Sequence, residues 1–467
     1  MIKLPETTEY IIEKIEKNGF EAFAVGGCIR DSLLGRVPND WDIATSAKPE
    51  DIMNIFENTV ETGIEHGTVT VVIDKEAYEV TTYRIDGDYT DGRHPDSVEF
   101  TENIEEDLSR RDFTINAMAY NNSTGLVDVF GGRDDLENKV IRCVGNPRKR
   151  FEEDALRMMR GIRFSAQLGF SIENETFKAI EEMSDLISAV SIERINLEFT
   201  KTLMSNAKKI MIYHESGILK NILPELYNID KDDFNRDFSS LELIKMGVNC
   251  ADLCKKDLVC RLAGFFVYIN EAIGIENTKK ILKKMRYDNK TISKTCELLK
   301  YSMRNISNNK EDLKYLLMKL DSVEMLEDLI DLKAAEVDTY LEERKSKFEE
   351  KSEKEKKIES VGIEVLEAFT VEALIVLNNV ENTLKEIVDN GECFRVKDLD
   401  INGKDLIAAG VKPGKEIGEM LNKILKEVIK NPSINKKEEL LKNSKINKIK
   451  YIKATKSINI CLVWVFR

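Results

Sequence analysis

The chain has 467 residues, 42% hydrophobic and 33% charged, enough apolar material for packed cores and the wrong composition for a disordered or fibrous chain. At ~100 to 200 residues per domain, the length predicts roughly two to four domains. Lys and Arg number 70 against 84 Asp and Glu, a formal charge of −14, which taken as a sum disfavours a polyanionic partner. Eight Cys are too few for a disulfide scaffold, and the stretch MIKLPETTEYIIEKIEKNGF lacks the apolar core of a secretory signal. No apolar run approaches the ~20 residues needed to cross a bilayer. A soluble protein of the reducing cytoplasm, with no membrane partner, is expected. With only His66, His94 and His214 present, a multi-histidine metal cage is hard to assemble, and catalysis is expected to rest on carboxylates.

The β signal is concentrated in the first 140 residues. TEYIIEKIEKNG reads as a helix, and FAVGG at 23–27 reads as a strand entering a glycine turn. KPEDIMNIFEN is a second helical pattern. GTVTVVID and EAYEVTTYR, parted at Asp74 and Lys75, read as a hairpin of β-branched and aromatic residues. RIDGDYTDGRHPDSVEF, residues 84–100, is Gly- and Asp-rich and aperiodic, and LSRRDFTINAMAY after it is read as helical. From about residue 147 the pattern is helical, with apolar positions at steps of three and four and Gly at several stops. EERKSKFEEKSEKEKK, residues 342–357, holds thirteen charges in sixteen positions, six acidic and seven basic, and is taken as a solvated spacer or helix face. Residues 436–456, with eight Lys to two Glu, are locally basic. The apolar end INICLVWVF is left as an edge strand, a docking segment or an aggregation liability.

Three clusters carry chemistry. In FAVGGCIRDSLLGRVPNDWDIAT, residues 23–45, Gly26 and Gly27 let backbone amides approach a phosphate chain, and Arg30 adds a cationic fork. Asp40 and Asp42 lie two apart, so on an extended strand they face one point and can share divalent cations. A bland surface turn after Pro38 explains Asp-x-Asp alone, but not its place fourteen residues after Gly26. This combination resembles the nucleotidyltransferase superfamily signature, with its two-metal site.

In EEDLSRRDFTINAMAY, residues 105–120, Arg110, Arg111 and Asp112 are placed at a helix start, where arginines can grip a triphosphate and Asp112 can accept from a ribose hydroxyl. The alternative is a capping arrangement with solvated arginines. The full string resembles the second motif of class II tRNA nucleotidyltransferases and their poly(A) polymerase relatives. In VGNPRKRFEEDALRMMRGIRF, residues 144–164, Asp154, Arg157, Arg160 and Arg163 recur every three residues on what reads as one helix. Three arginines without evident acids to pair them imply an anion; an exposed helix with internal Asp–Arg pairing is the alternative. An Asp and an Arg side by side can accept from an exocyclic amine and donate to the adjacent ring nitrogen, a pattern cytosine and adenine share and uracil and guanine reverse.

Together the clusters resemble bacterial class II CCA-adding enzymes, and the likeness continues in SIERINLEF (191–199), GILKNILPEL (217–226) and residues 398–432. The resemblance implies an α/β nucleotidyltransferase head with a small mixed sheet, followed by an elongated all-α neck, body and tail. The divisions expected are 1–140 for the catalytic head and 141–205 for a neck that selects bases. Residues 206–340 make an RNA-binding body, and 341–467 a tRNA-binding tail. It implies template-independent addition of C, C and A to the tRNA 3′ end from CTP and ATP, with Mg²⁺ on Asp40 and Asp42 as catalytic ligands. Gly27, Arg30 and Arg111 would contact the triphosphate, Asp112 the sugar, Asp154 and Arg157 the base, and Arg160 and Arg163 the rest of the nucleotide. Glu79 is either a third carboxylate or a solvated strand residue. The 84–100 loop corresponds to one that accompanies the switch from C to A. RLAGFFVYIN, residues 261–270, lacks the His-Asp pair found there in some long relatives, so a region related to that metal domain would be degenerate. Cys250, Cys254 and Cys260 fit no common zinc spacing and are read as buried thiols. The rival readings are a poly(A) polymerase, a CC-only or A-only enzyme, and a silent RNA-binding protein. Oligomeric state is not legible.

Overall fold

The computed structural model describes residues 2–87, 97–229, 238–349 and 353–442. The chain forms two compact units, one of Met1–Asp252 with Ala272–Asn289 and the other of Leu253–Glu271 with Lys290–Arg467. Helix α1 (Glu6–Lys17) buries Ile11, Ile12 and Ile15 and leads to β1 (Ala22–Val25), α2 (Gly27–Leu33), β2 (Asp42–Thr45) and α3 (Pro49–Ile55). Strands β3 (Thr59–Gly63), β4 (Thr68–Ile73) and β5 (Glu76–Thr82) follow, then β6 (Arg84–Asp86), β7 (Val98–Phe100) and α4 (Ile104–Ser109). The head closes with β8 (Ala119–Asn121), β9 (Gly125–Val127) and α5 (Gly132–Glu137).

The sheet order is β3-β4-β5-β2-β1-β8-β9, mixed because β2 and β5 run parallel while the other pairs are antiparallel. The β4–β5 hairpin closes with Ile73 opposite Glu76, leaving Asp74 (φ 51°) and Lys75 (φ 71°) as the two-residue turn. Two left-handed residues match the right-handed twist of the flanking strands. Phe23, Val25, Ala44, Tyr83, Leu108 and Ala119 form the core beneath. Strands β6 and β7 pair as a separate ladder at the two ends of the 84–100 stretch expected as a loop, and its residues 88–96, with His94, lie outside the described residues.

Beyond the head, β10 (Val140–Ile141) precedes α6 (Pro147–Glu153) and α7 (Leu156–Leu168), and β11 (Ser171–Ile172) pairs parallel with β10. Helices α8 (Asn174–Met183), α9 (Ile192–Ser205), α10 (Ile210–Glu215), α11 (Ile218–Ile222) and α12 (Ser240–Leu253) continue the chain. Then come α13 (Leu258–Ile273), α14 (Ile275–Lys284), α15 (Asn289–Ser302), α16 (Lys310–Leu320) and α17 (Val323–Glu349). Helices α18 (Glu353–Asp389), α19 (Gly403–Ala408) and α20 (Lys415–Lys430) end the described part. An α/β head followed by helices is the architecture expected. RLAGFFVYIN falls in α13 and is buried almost throughout, as packing rather than metal chemistry demands. The charged run 342–357 enters α17 and α18, and the apolar end beyond 442 lies outside the described residues. No helix among the described residues is long and apolar enough to cross a membrane.

Two local expectations need correction. Arg110–Asp112 do not start a helix; they follow the C-terminal end of α4, and the rest of LSRRDFTINAMAY is a 3-10 turn (Thr114–Asn116) and β8. The helix start is upstream, where Asn103 accepts from the Glu105 amide and the first turn carries Glu105, Glu106 and Asp107. Nor do Asp154 and the three arginines share one helix. Asp154 is extended (φ −150°, ψ 104°) at the end of α6, and its carboxylate accepts from the Leu156 amide at 3.0 Å as α7 begins.

Candidate active site

The site grows from the edge where β1 and β2 meet. Val25 pairs with Asp42, so the turn after β1 lies beside the acidic start of β2. Gly26 has φ 80°, which favours glycine, and a Cβ there would lie 2.8 Å from Arg111 Nη1, so a side chain would also push the arginine aside. Asp40 and Asp42 are exposed, Asp42 opening the strand. Protein packed around Asp42 raises its carboxyl above the ordinary carboxylate value; Arg111 opposes this and the like charge of Asp40 adds to it. A divalent cation would relieve both the desolvation and the repulsion, so this donor set fits a hard cation. Glu79 is exposed on β5 one step before Val80, the partner of Ile43, which puts it on the strand beside Asp42. Asp40, Asp42 and Glu79 do not bring ligand atoms within 4.8 Å of one another; among the described residues only Cys254, Cys260 and Asp331 make such a triple.

Arg111 donates from Nη2 to Asp107 at 3.3 Å, while its Nε is buried with no protein partner. A buried unpaired guanidinium donor beside a glycine turn suits an anion. Asp107 was missed in the sequence. Burial alone would raise its carboxyl, but Arg110 and Arg111 outweigh that and hold it below the usual range, so it is the charged anchor for both. Its signal was the spacing Asp107–Arg110–Arg111, three and four residues apart on a helical turn.

A polar chain links this edge to α7. Arg30 grips Asp31 through Nε and Nη2, both at 2.9 Å, and donates from Nη1 to Asn116 Oδ1 at 2.7 Å. Asn116 donates to Asp112 at 3.1 Å, and Asp112 takes a two-pronged contact from Arg160 at 2.8 and 2.7 Å. Burial pushes the Asp112 carboxyl up, but Arg160, Asn116 and Arg157 together hold it down to about 2. Phe164 sits among Arg30, Arg160 and Arg163, with guanidinium carbons 5.2, 5.5 and 4.0 Å from its ring centre. Phe113 meets Phe164 edge-on at 5.8 Å, and a Cβ on Gly161 would lie 3.0 Å from the Phe113 ring, so that glycine lets α7 dock.

The premise that the α7 arginines lack acids does not hold. Arg157 pairs with Glu153 at 2.7 Å, Arg160 with Asp112, and the buried Arg163 with Glu198 on α9. Asp112 and Glu198 lie 48 and 35 positions away, beyond the reach of a helical periodicity, whereas Glu153 is only four residues before Arg157. Asp154 is held by Arg194 at 2.7 Å, and Arg157 Nη2 also donates to the Arg110 carbonyl at 3.2 Å. The site residues Gly27, Arg30, Asp42, Arg111, Asp112, Asp154, Arg157, Arg160 and Arg163 thus fall within one compact unit, with Asp40 two residues before Asp42.

The Poly A polymerase head domain family matches residues 22–142, a polymerase A RNA- and SrmB-binding-site family matches 169–229, and a tRNA nucleotidyltransferase domain 2 family matches 361–443. The CCA-adding enzyme of Ligilactobacillus salivarius is 36% identical over 442 residues, covering 93% of this chain and 95% of its own. That of Enterococcus faecalis is 33% identical over 446 residues, 95% of this chain and 96% of its own. The crystal structure of Bacillus stearothermophilus CCA-adding enzyme in complex with CTP superposes with a TM-score of 0.70 at 28% identity, covering 97% of this chain and all of that one. With its head, its helical remainder and its whole length matched in these relatives, the chain belongs to the CCA-adding enzyme family of tRNA nucleotidyltransferases.

Proposed function

We propose that this enzyme completes tRNA 3′ ends, adding C, C and A from CTP and ATP with no nucleic-acid template, in the cytoplasm, where thiols such as its described cysteines stay reduced. The observation that carries the reading is the polar chain Arg30–Asn116–Asp112–Arg160, which ties the Asp42 edge to the helix that follows Asp154. The tRNA 3′-oxygen attacks the α-phosphorus of the nucleotide in line, a P–O bond forms to it, and the bond to the departing pyrophosphate breaks. Enzymes of this class use divalent metals, and we assign Mg²⁺ to Asp40 and Asp42. When bound, it lowers the pKa of the attacking hydroxyl and neutralises charge on the pyrophosphate.

The protein's own residues hold the reactants. The turn at Gly26 and Gly27, Arg30 and the unpaired Nε of Arg111 receive the triphosphate. Asp154, steadied by Arg194, accepts from the amine of C or A, while Arg157, steadied by Glu153, donates to the ring nitrogen. U or G would set carbonyl against carboxylate and N–H against guanidinium, at ~1 to 3 kcal/mol per unpaired group. Asp112 meets the ribose while holding Arg160; Arg160 and Arg163 shape the nucleotide pocket from α7. Residues 1–140 carry catalysis, 141–205 base choice, and 206–340 and 341–467 the tRNA.

The test incubates purified enzyme and Mg²⁺ with tRNAs ending before CCA, after C and after CC, supplies each nucleotide singly and mixed, and sequences the 3′ ends. Completion to CCA is expected; unlimited A-tailing, a stop at CC, or no addition would each overturn it. Asp42→Ala should abolish addition with the fold intact.

A further inference from the structure

Far from this site in sequence, within the second compact unit, three ligand-bearing side chains converge. Cys254 follows the end of α12, Cys260 lies in the first turn of α13, and Asp331 comes from α17. The two sulfurs and a carboxylate oxygen all lie within 4.8 Å of one another. We propose that Cys254, Cys260 and Asp331 bind a thiophilic divalent cation of the Zn²⁺ class.

The separations suit such an ion. With Zn–S near 2.3 Å and Zn–O near 2.0 Å, tetrahedral geometry sets S···S at about 3.8 Å and S···O at about 3.5 Å. Cys260 Sγ lies 3.2 Å from Asp331 Oδ2, a small outward movement from the second figure. The ligands are already oriented by their surroundings. Asp331 Oδ2 accepts from the Lys255 amide at 2.9 Å, and Asp257 accepts from the Cys260 amide at 3.0 Å, capping the start of α13. Two thiolates and a carboxylate would leave one negative charge on a divalent ion, beside the Lys255–Asp328 ion pair.

Cys254 and Cys260 are 2% and 0% exposed, whereas Asp331 is partly open, giving the ion an entry edge and a fourth position for water. Binding releases the two thiol protons to solvent as two metal–sulfur bonds form. The five-residue gap between the cysteines hid the site: the shorter gap of common zinc motifs reflects a tight knuckle, and here a corner between two helices does that work with Asp331 supplied from α17.

The probe is Co²⁺ added to the reduced, metal-free full-length enzyme. A thiolate-to-cobalt charge-transfer absorption in the near ultraviolet saturating at one equivalent is expected, and Zn²⁺ should displace it. Cobalt on Asp40 and Asp42 has no sulfur ligand and cannot produce that band. Cys260→Ser and Cys254→Ser should remove it, Asp331→Asn should weaken affinity, and Cys296→Ser should leave it unchanged. Absence of the band in the unsubstituted enzyme, or its persistence in folded Cys260→Ser, would overturn the assignment. So would a Cys254–Cys260 disulfide forming in place of metal uptake when the protein is purified with Zn²⁺. Zinc retained by the unsubstituted enzyme after dialysis, measured by mass spectrometry, keeps the test decisive if a cysteine variant fails to fold.

Discussion

The contact between Asp112 and Arg160 offers a direct measure of how firmly α7 is tied to the head. In Asp112→Asn the amide keeps the shape of the carboxylate but loses its charge, and its NH₂ end meets the two guanidinium donors of Arg160. Holding the carboxyl down to about 2 from its ordinary 3.8 corresponds to about 2.5 kcal/mol. Arg160 is 35% exposed, so water screens part of that, and a net loss of about 1.5 to 2 kcal/mol is expected. The chain has two tryptophans, and Trp41 stands between Asp40 and Asp42, so a Trp464→Phe background makes fluorescence report the head alone. With a urea slope of roughly 2 kcal/mol/M the unfolding midpoint should fall by roughly 1 M. Because the carboxyl is depressed, its contribution is fully present above the ordinary value and is lost only as pH falls through about 2. The gap between the two proteins should therefore be the same at about pH 5.5 and about pH 8. A loss under about 0.5 kcal/mol, or one that opens between those pH values, would refute the pairing as a structural tie.

Gly26→Ala places a methyl against Arg111 at a positive-φ position; addition should fall at least about tenfold in tRNA extension, and the backbone strain should cost about 1 to 3 kcal/mol in urea titration. Arg157→Ala should let UTP and GTP compete measurably with CTP and ATP, scored by sequencing 3′ ends; unchanged selectivity would remove Arg157 from base reading. Glu198→Gln leaves Arg163 buried without its acid and should destabilise by about 3 kcal/mol in denaturant titration, with the loss insensitive to nucleotide. Burial raises the Glu336 carboxyl to about 7, against the pull of Lys333 and with help from Glu271, so the second unit is most stable below the ordinary Glu value and loses stability as pH rises through about 7. Glu336→Gln should accordingly raise the melting temperature at about pH 8 and leave it unchanged at about pH 4.

The sequence exposed what local rules control and concealed what distant contacts decide. The β4–β5 hairpin was legible because alternation and a two-residue turn both act within a few positions. The helix start was misplaced because Asp112 reads as an N-cap, whereas the dipole favours cations at a helix end, where Arg110 and Arg111 lie, and Asn103 with the acids after it was the true cap. The break at Asp154 was invisible to a three-residue periodicity, which runs unchanged through a carboxylate that stops one helix and caps the next. Glu153, four residues before Arg157, was in view, but the partners of Arg160 and Arg163 could not be read, since Asp112 and Glu198 reach them only after the chain has folded back.

That pairing alters how an acidic protein can hold a polyanion. Counting Arg148, Arg150, Arg157, Arg160 and Arg163 as a positive patch overstates the field, because each faces a carboxylate: Glu182, Glu153, Glu153, Asp112 and Glu198. Such a surface releases few counterions on meeting RNA at random, so non-specific attraction stays weak. Its cations are instead fixed in direction, and one donor is left over, Arg111 Nε beside the Gly26 turn. Under the roles proposed above, selectivity comes from position: a nucleotide would be held only if its phosphates reach that donor while its base reaches Asp154 and Arg157, and a long anion lacking either end would find these arginines already paired.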